Sequence, residues 1–164
     1  MDVTQQELEH LAAQVGAALQ TRGWRLATAE SCTGGWAAQT ITAIAGSSAW
    51  FDRGFVTYSN EAKREMLGVQ ADTLAIHGAV SEATVREMAA GALARSRAEV
   101  AFAISGIAGP AGGSADKPVG MVCLAWVLAG HAVETDIRHF DGERRAIRAQ
   151  SVRAALQGLL DRLQ

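Results

Sequence analysis

Three short segments of the 164-residue sequence, 30–35, 58–63 and 105–113, carry the residue types that could do chemistry. Each follows an apolar run and is crowded with hydroxyl, amide or charged side chains or with glycine. In open α/β sheets, ligands bind beyond the carboxyl ends of the strands. If the apolar runs are strands of such a sheet, these segments predict a small-molecule site.

Ser31 is the first candidate nucleophile, because it follows an apolar run and precedes the glycine pair Gly34 and Gly35 at the start of a predicted helix. Backbone N–H groups and the positive end of the helix dipole converge at such a turn and could hold an oxyanion. The alternative is an ordinary helix cap in a tight turn. Spacing alone leaves both interpretations open.

A serine nucleophile needs a base, and Lys63 is the candidate. Lys63 lies on a short predicted helix, about one turn from Tyr58 and Asn60, and a desolvated lysine can lose enough pKa to act as a base. Most lysines on short helices are simply solvated. None of the four histidines lies beside a predicted strand end in a triad context: His10, His77, His131 and His139.

Cys32 competes with Ser31 as the nucleophile. At a helix N-terminus the pKa of its thiol would fall, and a thiolate is intrinsically the better nucleophile. The alternative is a small buried residue beside a strand end.

The glycine-rich segment 105–113 could present several backbone N–H groups to an anion. It matches neither the Walker A pattern nor GxGxxG with its ribose-binding acid, and a crossover that needs glycine is the alternative. Arg144 and Arg145 could add a bidentate phosphate contact, or form a solvated basic face.

The elements that must position these residues follow from the apolar spacing. Predicted helices are 4–22, with Thr4 as N-cap and Gly23 as stop, 36–44, 60–67, a helix capped by Ser81 that runs to about residue 97, and a last helix from about residue 143. Predicted strands are 24–29, 55–58, 100–104, 119–127 and 133–140, the last two joined by a hairpin at 129–130. Alternating strands and helices predict one α/β domain, 1–164, with a mixed, mostly parallel five-stranded sheet covered by helices on both faces.

Composition narrows the class of protein. The chain is 49% hydrophobic and 20% charged with a formal net charge of −2, which fits one domain whose core needs no disulfide or structural metal. Scattered basic residues argue against nucleic acid as a partner, and no apolar run approaches the roughly 20 residues of a membrane span. Two distant cysteines without zinc-ligand spacing, and no signal-peptide pattern, favour a reduced, cytoplasmic protein.

Five blocks in this order resemble the CinA C-terminal family, in particular its stand-alone nicotinamide-nucleotide amidohydrolases. They are TAESCTGG (28–35), GFVTYSNEAK (54–63), GAVSE (78–82), SGIAGP (105–110) and GGS with KPVG (112–120). The resemblance covers about residues 5–160. It implies a three-layer α/β/α sandwich that hydrolyses the carboxamide of nicotinamide mononucleotide, with neither a metal nor an organic cofactor.

Carried over by position, the resemblance implies that Ser31 is the nucleophile, Lys63 the general base and Tyr58 a further catalytic residue. The substrate contacts that we expect are Thr33, Gly34, Gly35, Ser48, Asn60, Ser105, Gly106 and Arg145. Backbone N–H groups of 33–35 would hold the oxyanion, and Arg145 with the loop 105–113 the phosphate. A non-catalytic nucleotide-binding module and a metal-dependent nucleotide pyrophosphatase remain alternatives. We also expect a homo-oligomer, whose size the sequence does not fix.

Overall fold

A computed structural model describes residues 2–164 and contains five strands and six α-helices within them. The strands are β1 (Leu26–Glu30), β2 (Phe51–Val56), β3 (Val100–Gly106), β4 (Met121–Leu128) and β5 (Glu134–His139). The helices are α1 (Gln5–Arg22), α2 (Trp36–Thr42), α3 (Asn60–Leu67), α4 (Ala71–His77), α5 (Glu82–Ala94) and α6 (Arg144–Arg162), with a 3-10 turn at Ser47–Ala49. No helix in this part of the chain is both long and apolar enough to cross a membrane.

The sheet has the strand order β2-β1-β3-β4-β5. β1 pairs in parallel with both β2 and β3, while β4 pairs antiparallel with β3 and with β5. Four strands therefore run in one direction and only β4 is reversed, which confirms the predicted mixed, mostly parallel sheet. The chain leaves β1 toward β2 and returns on its other side to β3, so the carboxyl ends of β1 and β3 flank the topological switch point, where ligands of such sheets bind.

Helices cover both faces of the sheet, as predicted. Leu26, Phe102 and Leu124 point toward α1, α2 and α6, and their chain neighbours point toward α3 and α5. On the α5 side the sheet presents mainly small side chains: Ala27, Ala29, Ala101, Ala103 and Ala125. The three central strands, β1, β3 and β4, are buried on both faces, and the two helical layers that cover the sheet make a three-layer α/β/α sandwich.

Helix α5 also approaches α3 closely, at Gly91. A Cβ at this position would collide with the backbone carbonyl of Leu67, the last residue of α3. Glycine is therefore required here by space rather than by backbone conformation.

Most predicted boundaries are confirmed, including the Thr4 and Ser81 caps and the bounds of the helix that carries Lys63. Strand β2 differs, because it spans Phe51–Val56 rather than 55–58. It is an edge strand, so the polar residues at its start can face solvent and the apolar signal appears only near its end. Helix α4 was not predicted, since it buries none of its residues and so has no apolar stripe.

Candidate active site

The carboxyl end of β1 and helix α3 bring Ser31 and Lys63 together. Lys63 Nζ lies 3.0 Å from Ser31 Oγ, and the lysine is only 1% exposed. Nζ also donates to the backbone oxygens of Thr57 at 2.9 Å and Tyr58 at 3.2 Å. Those two carbonyls fix the direction of the amine, and its remaining position faces the serine hydroxyl.

Burial lowers the pKa of Lys63 below its ordinary value, because removal from water disfavours the ammonium form. Within residues 2–164 no carboxylate forms an ion pair with it. A neutral lysine has a lone pair that can accept the proton of an adjacent hydroxyl. The pair can therefore act as a nucleophile and its base.

The local sequence explains why Lys63 points inward. Ser59 caps α3 by accepting a hydrogen bond from the N–H of Ala62 at 3.0 Å. Lys63 and Leu67 are the buried residues of this helix, and their spacing of four places them on one face. The spacing of Lys63 and Leu67 in the sequence therefore indicates that this lysine is buried.

Glu30, which the sequence did not single out as a site residue, holds the turn that follows β1. Its carboxylate is fully buried and accepts hydrogen bonds from Thr33 Oγ1 at 2.6 Å and from the N–H groups of Ala37 at 2.8 Å and Ala38 at 3.1 Å. Glu30 thus caps α2, whose own N-cap residue is Gly35 with no side chain to do so. The hydroxyl of Thr33 donates to Glu30, so this side chain does not face the cavity.

Arg148 of α6 holds the same turn from outside, and sequence reasoning missed it as well. Its Nε donates to the carbonyl of Cys32 at 2.9 Å, and its Nη2 to that of Thr33 at 3.1 Å. The spacing of four from Arg144, which puts both arginines on one face of α6, is the only sequence signal that could have indicated it.

A cavity of about 290 Å³ opens beside Ser31 at the switch point of the sheet. Arg144 stands in its wall and donates to the Gly109 carbonyl at 2.8 Å and to Tyr58 Oη at 3.4 Å. The lining residues come from the ends of three strands and the start of α6: Ser31, Cys32, Tyr58, Gly106, Ile107, Ala108, Gly109, Ala111, Gly112 and Arg144.

Several residues expected to contact substrate lie elsewhere. Ser48 precedes β2 and so lies at the amino ends of the parallel strands, whereas Ser31 follows the carboxyl end of β1. The six residues of β2 put Ser48 about 20 Å away, so within one chain it does not reach the cavity. Arg145 lines a different cavity with Asp2 and Val3 and lies over the Trp36 ring at 5.4 Å. For these two positions the structure assigns no contact with a substrate held at Ser31 of the same chain.

Of the other residues expected to contact substrate, some make hydrogen bonds within the fold and one lines the cavity. The buried hydroxyl of Ser105 donates to the Ala79 carbonyl at 2.8 Å and ties β3 to the loop before α5. The N–H of Gly34 donates to the Ser31 carbonyl at 3.0 Å and is not available to an oxyanion, which corrects that part of the expectation. Gly106 lines the cavity, and Asn60 is exposed at the first position of α3.

Of the two interpretations of Cys32, the small buried residue beside a strand end is confirmed, and the thiol with a lowered pKa is wrong. Burial raises the pKa of this thiol to about 11, which outweighs the opposing effects of the Gly106 N–H and the Arg148 charge. A thiol with this pKa is almost entirely protonated at neutral pH, so the geometry favours Ser31 as the nucleophile. Among residues 2–164, no three His, Cys, Asp or Glu side chains converge as a metal site would require.

Comparison with known proteins identifies relatives of the whole chain. The family model for the CinA C-terminal domain matches residues 8–163. The nicotinamide-nucleotide amidohydrolase PncC of Escherichia coli strain K12 is 59% identical over 157 residues, 96% of this chain and 95% of that protein. The crystal structure of competence/damage inducible protein CihA from Agrobacterium tumefaciens superposes with a TM-score of 0.93 at 51% identity, covering 96% of each chain.

Proposed function

The chain belongs to the CinA C-terminal domain family, and from this premise we propose that it hydrolyses the carboxamide of nicotinamide mononucleotide to nicotinate mononucleotide and ammonia. The name of the Escherichia coli relative supports this substrate. The observation that carries the proposal is the 3.0 Å contact between Lys63 Nζ and Ser31 Oγ at the edge of a cavity. The reaction would belong to pyridine nucleotide salvage, in the cytoplasm.

In the first half of the proposed reaction, Ser31 Oγ attacks the amide carbon while neutral Lys63 accepts the hydroxyl proton. The carbonyl π bond opens and its oxygen becomes an oxyanion, which needs hydrogen-bond donors. When the tetrahedral intermediate collapses, the C–N bond breaks and Lys63 returns the proton to the leaving nitrogen. Ammonia departs and an ester to Ser31 remains.

In the second half, water replaces ammonia. Lys63 takes a proton from the water as its oxygen attacks the ester, and then returns the proton to Ser31 Oγ as the acid leaves. Tyr58 lies in the cavity wall with its hydroxyl 3.4 Å from Arg144 Nη2, where it can contact the substrate. No step requires a metal or a cofactor.

We further propose that Arg144 and the N–H groups of the loop 105–113 bind the substrate phosphate. Arg144 is the arginine in the wall of the Ser31 cavity, and a fixed guanidinium with nearby N–H groups suits a phosphate dianion. That Arg145 binds the phosphate stays a prediction. Arg145 could reach this phosphate only from a second copy of the chain or after a movement of its side chain toward the cavity. The homo-oligomer that we expect could supply such a second copy.

An ammonia-release assay on nicotinamide mononucleotide, run with a chelator and with a Ser31→Ala control, tests the proposal. We expect release by the wild type in the presence of chelator and none by the variant, whose fold should be intact because the lost hydroxyl contributes only about 1 kcal/mol. Binding without turnover would indicate a nucleotide-binding module instead. Chelator-sensitive cleavage of a dinucleotide that contains a P–O–P bond, with no ammonia released from the mononucleotide, would indicate a pyrophosphatase.

A further inference from the structure

The turn after Ser31 contains two backbone N–H groups that donate to no protein oxygen. Within residues 2–164, neither the N–H of Cys32 nor that of Thr33 donates to a protein oxygen. Thr33 is 0% exposed and Cys32 is 7% exposed. Buried N–H groups without an acceptor are rare in folded proteins and call for an explanation.

Arg148 fixes the direction of both groups. In a trans peptide the C=O and the following N–H point to opposite sides, and no cis bond lies in this turn. Because Arg148 binds the Cys32 carbonyl, the N–H of Thr33 points away from the guanidinium.

The second contact of Arg148 acts one peptide further along the chain. It binds the Thr33 carbonyl and so orients the N–H of Gly34, which donates to the Ser31 carbonyl at 3.0 Å. With that carbonyl held, the N–H of Cys32 is turned to the opposite side of its peptide. One guanidinium therefore sets the orientation of three consecutive peptides next to the nucleophile.

We propose that Arg148 is the positioning residue of an oxyanion hole formed by the N–H groups of Cys32 and Thr33. This inference rests on the proposed acyl transfer through Ser31. Consecutive N–H groups aimed at one point bind anions, and the N–H after a nucleophile is placed to reach the oxygen that develops charge. A charged donor on the Cys32 carbonyl also polarises that peptide, which makes the N–H of Thr33 a stronger donor.

The test compares Arg148→Gln with two controls. Arg148→Lys retains a positive charge that can reach one carbonyl. Arg153→Gln removes an exposed arginine from the same helix, outside the Ser31 cavity. Each variant is measured in ammonia release from nicotinamide mononucleotide, and in the rate at which an alkyl fluorophosphonate labels Ser31, read by intact mass. Labelling forms a P–O bond to Ser31 and expels fluoride, and it requires an oxyanion hole but not this substrate.

For Arg148→Gln we expect kcat to fall on the order of 100-fold, comparable to the loss of one oxyanion donor, with KM within about twofold. The labelling rate should fall in parallel, while the pH dependence due to Lys63 stays unchanged. Arg148→Lys should recover part of the loss, and Arg153→Gln should match the wild type. A purely structural role would instead lower the folded fraction, measured by circular dichroism, in proportion to activity.

Three results would overturn the inference: labelling of Arg148→Gln at the wild-type rate, a loss fully explained by unfolding, or a wild type that the probe does not label. Failure of the proposed function looks different. A wild type that releases no ammonia but is labelled at Ser31, and labelled more slowly in Arg148→Gln, would refute the substrate and support the positioning role.

Discussion

Replacement of Arg144 by Met should separate binding of the phosphate from the chemistry at the amide. Arg144 stands in the wall of the Ser31 cavity, and its two hydrogen bonds, to Gly109 O and Tyr58 Oη, leave other guanidinium hydrogens for a ligand. Arg145, next in the chain, points toward Trp36 and a separate cavity. Arg145→Met is therefore a matched control that removes the same charge one residue away.

The magnitude follows from the kind of contact. A hydrogen bond to a charged group contributes about 1.5 to 3 kcal/mol, which is roughly a 10- to 150-fold change in an equilibrium or rate constant. Binding energy at the phosphate can also orient the amide against Ser31, so the loss should appear in kcat as well as KM. We expect Arg144→Met to lose this factor in kcat/KM on nicotinamide mononucleotide. On nicotinamide riboside, which lacks the phosphate, the already low rate should change little.

Steady-state ammonia release on both substrates, for the wild type and both variants, gives the ratio of the two kcat/KM values. That ratio should fall about 10- to 150-fold in Arg144→Met and stay constant in Arg145→Met. An equal loss on both substrates would mean that Arg144 serves the Gly109 loop or Tyr58 rather than the phosphate. A fall confined to Arg145→Met would refute the reasoning from cavity lining and would indicate that Arg145 reaches a substrate in another copy of the chain.

Three further perturbations test the site. Cys32→Ala should keep most of the activity, because a thiol with a pKa near 11 supplies almost no thiolate at neutral pH; an inactive variant would reassign the nucleophile. Lys63→Arg should fail as badly as Lys63→Met in ammonia release, since guanidinium stays protonated, and the wild-type rate should rise with pH through an apparent pKa below 10.5; an active arginine variant would contradict the role of base. The pKa of Lys63 is lower in the folded protein than in the unfolded chain, so between these two pKa values the unfolded chain binds more protons. The free energy of unfolding of the wild type, relative to that of Lys63→Met, should therefore rise with pH across this window; a fall would contradict the lowered pKa. Glu30→Gln should lower the free energy of unfolding in urea by about 1.5 to 3 kcal/mol, because an amide turns its NH₂ toward an N–H at the start of α2; an unchanged midpoint would show that the turn re-forms without the carboxylate.

The sequence predicted the parts of this fold that depend on neighbours in the chain. The Thr4 cap lies beside its partner Glu7, and α3 begins after Ser59 and ends before Gly68, so local chemistry defines both elements. The pair of Ser31 and Lys63 remained a hypothesis at that stage, because no local rule states how far apart the ends of β1 and α3 will lie.

The residues that sequence reasoning missed, Arg148 and Glu30, are those that bind mainly backbone atoms. Arg148 binds the carbonyls of Cys32 and Thr33, more than a hundred positions earlier in the chain, and a carbonyl has no residue type to recognise. Glu30 has its partners within eight residues of the chain. Its carboxylate reaches them only in the folded conformation of the turn between β1 and α2, which the residue types do not specify. The distance between Ser48 and Ser31 could not be predicted, because the apolar signal did not show the start of β2, and the length of this strand separates the two residues.

The contact between Gly91 and Leu67 has a consequence for how activity can be lost far from the cavity. Leu67 is one helical turn beyond Lys63 on the same face of α3, so any side chain at position 91 would push this helix away from α5 and carry the amine with it. A Cβ at position 91 would overlap the Leu67 backbone carbonyl, so α3 would have to move by about 1 Å, a displacement that can cost on the order of 100-fold in rate. Random substitutions scored by ammonia release should therefore show position 91 to be nearly as sensitive as Ser31 and Lys63, although Gly91 touches no substrate. Activity can therefore be lost by a substitution at the contact between α3 and α5, outside the cavity.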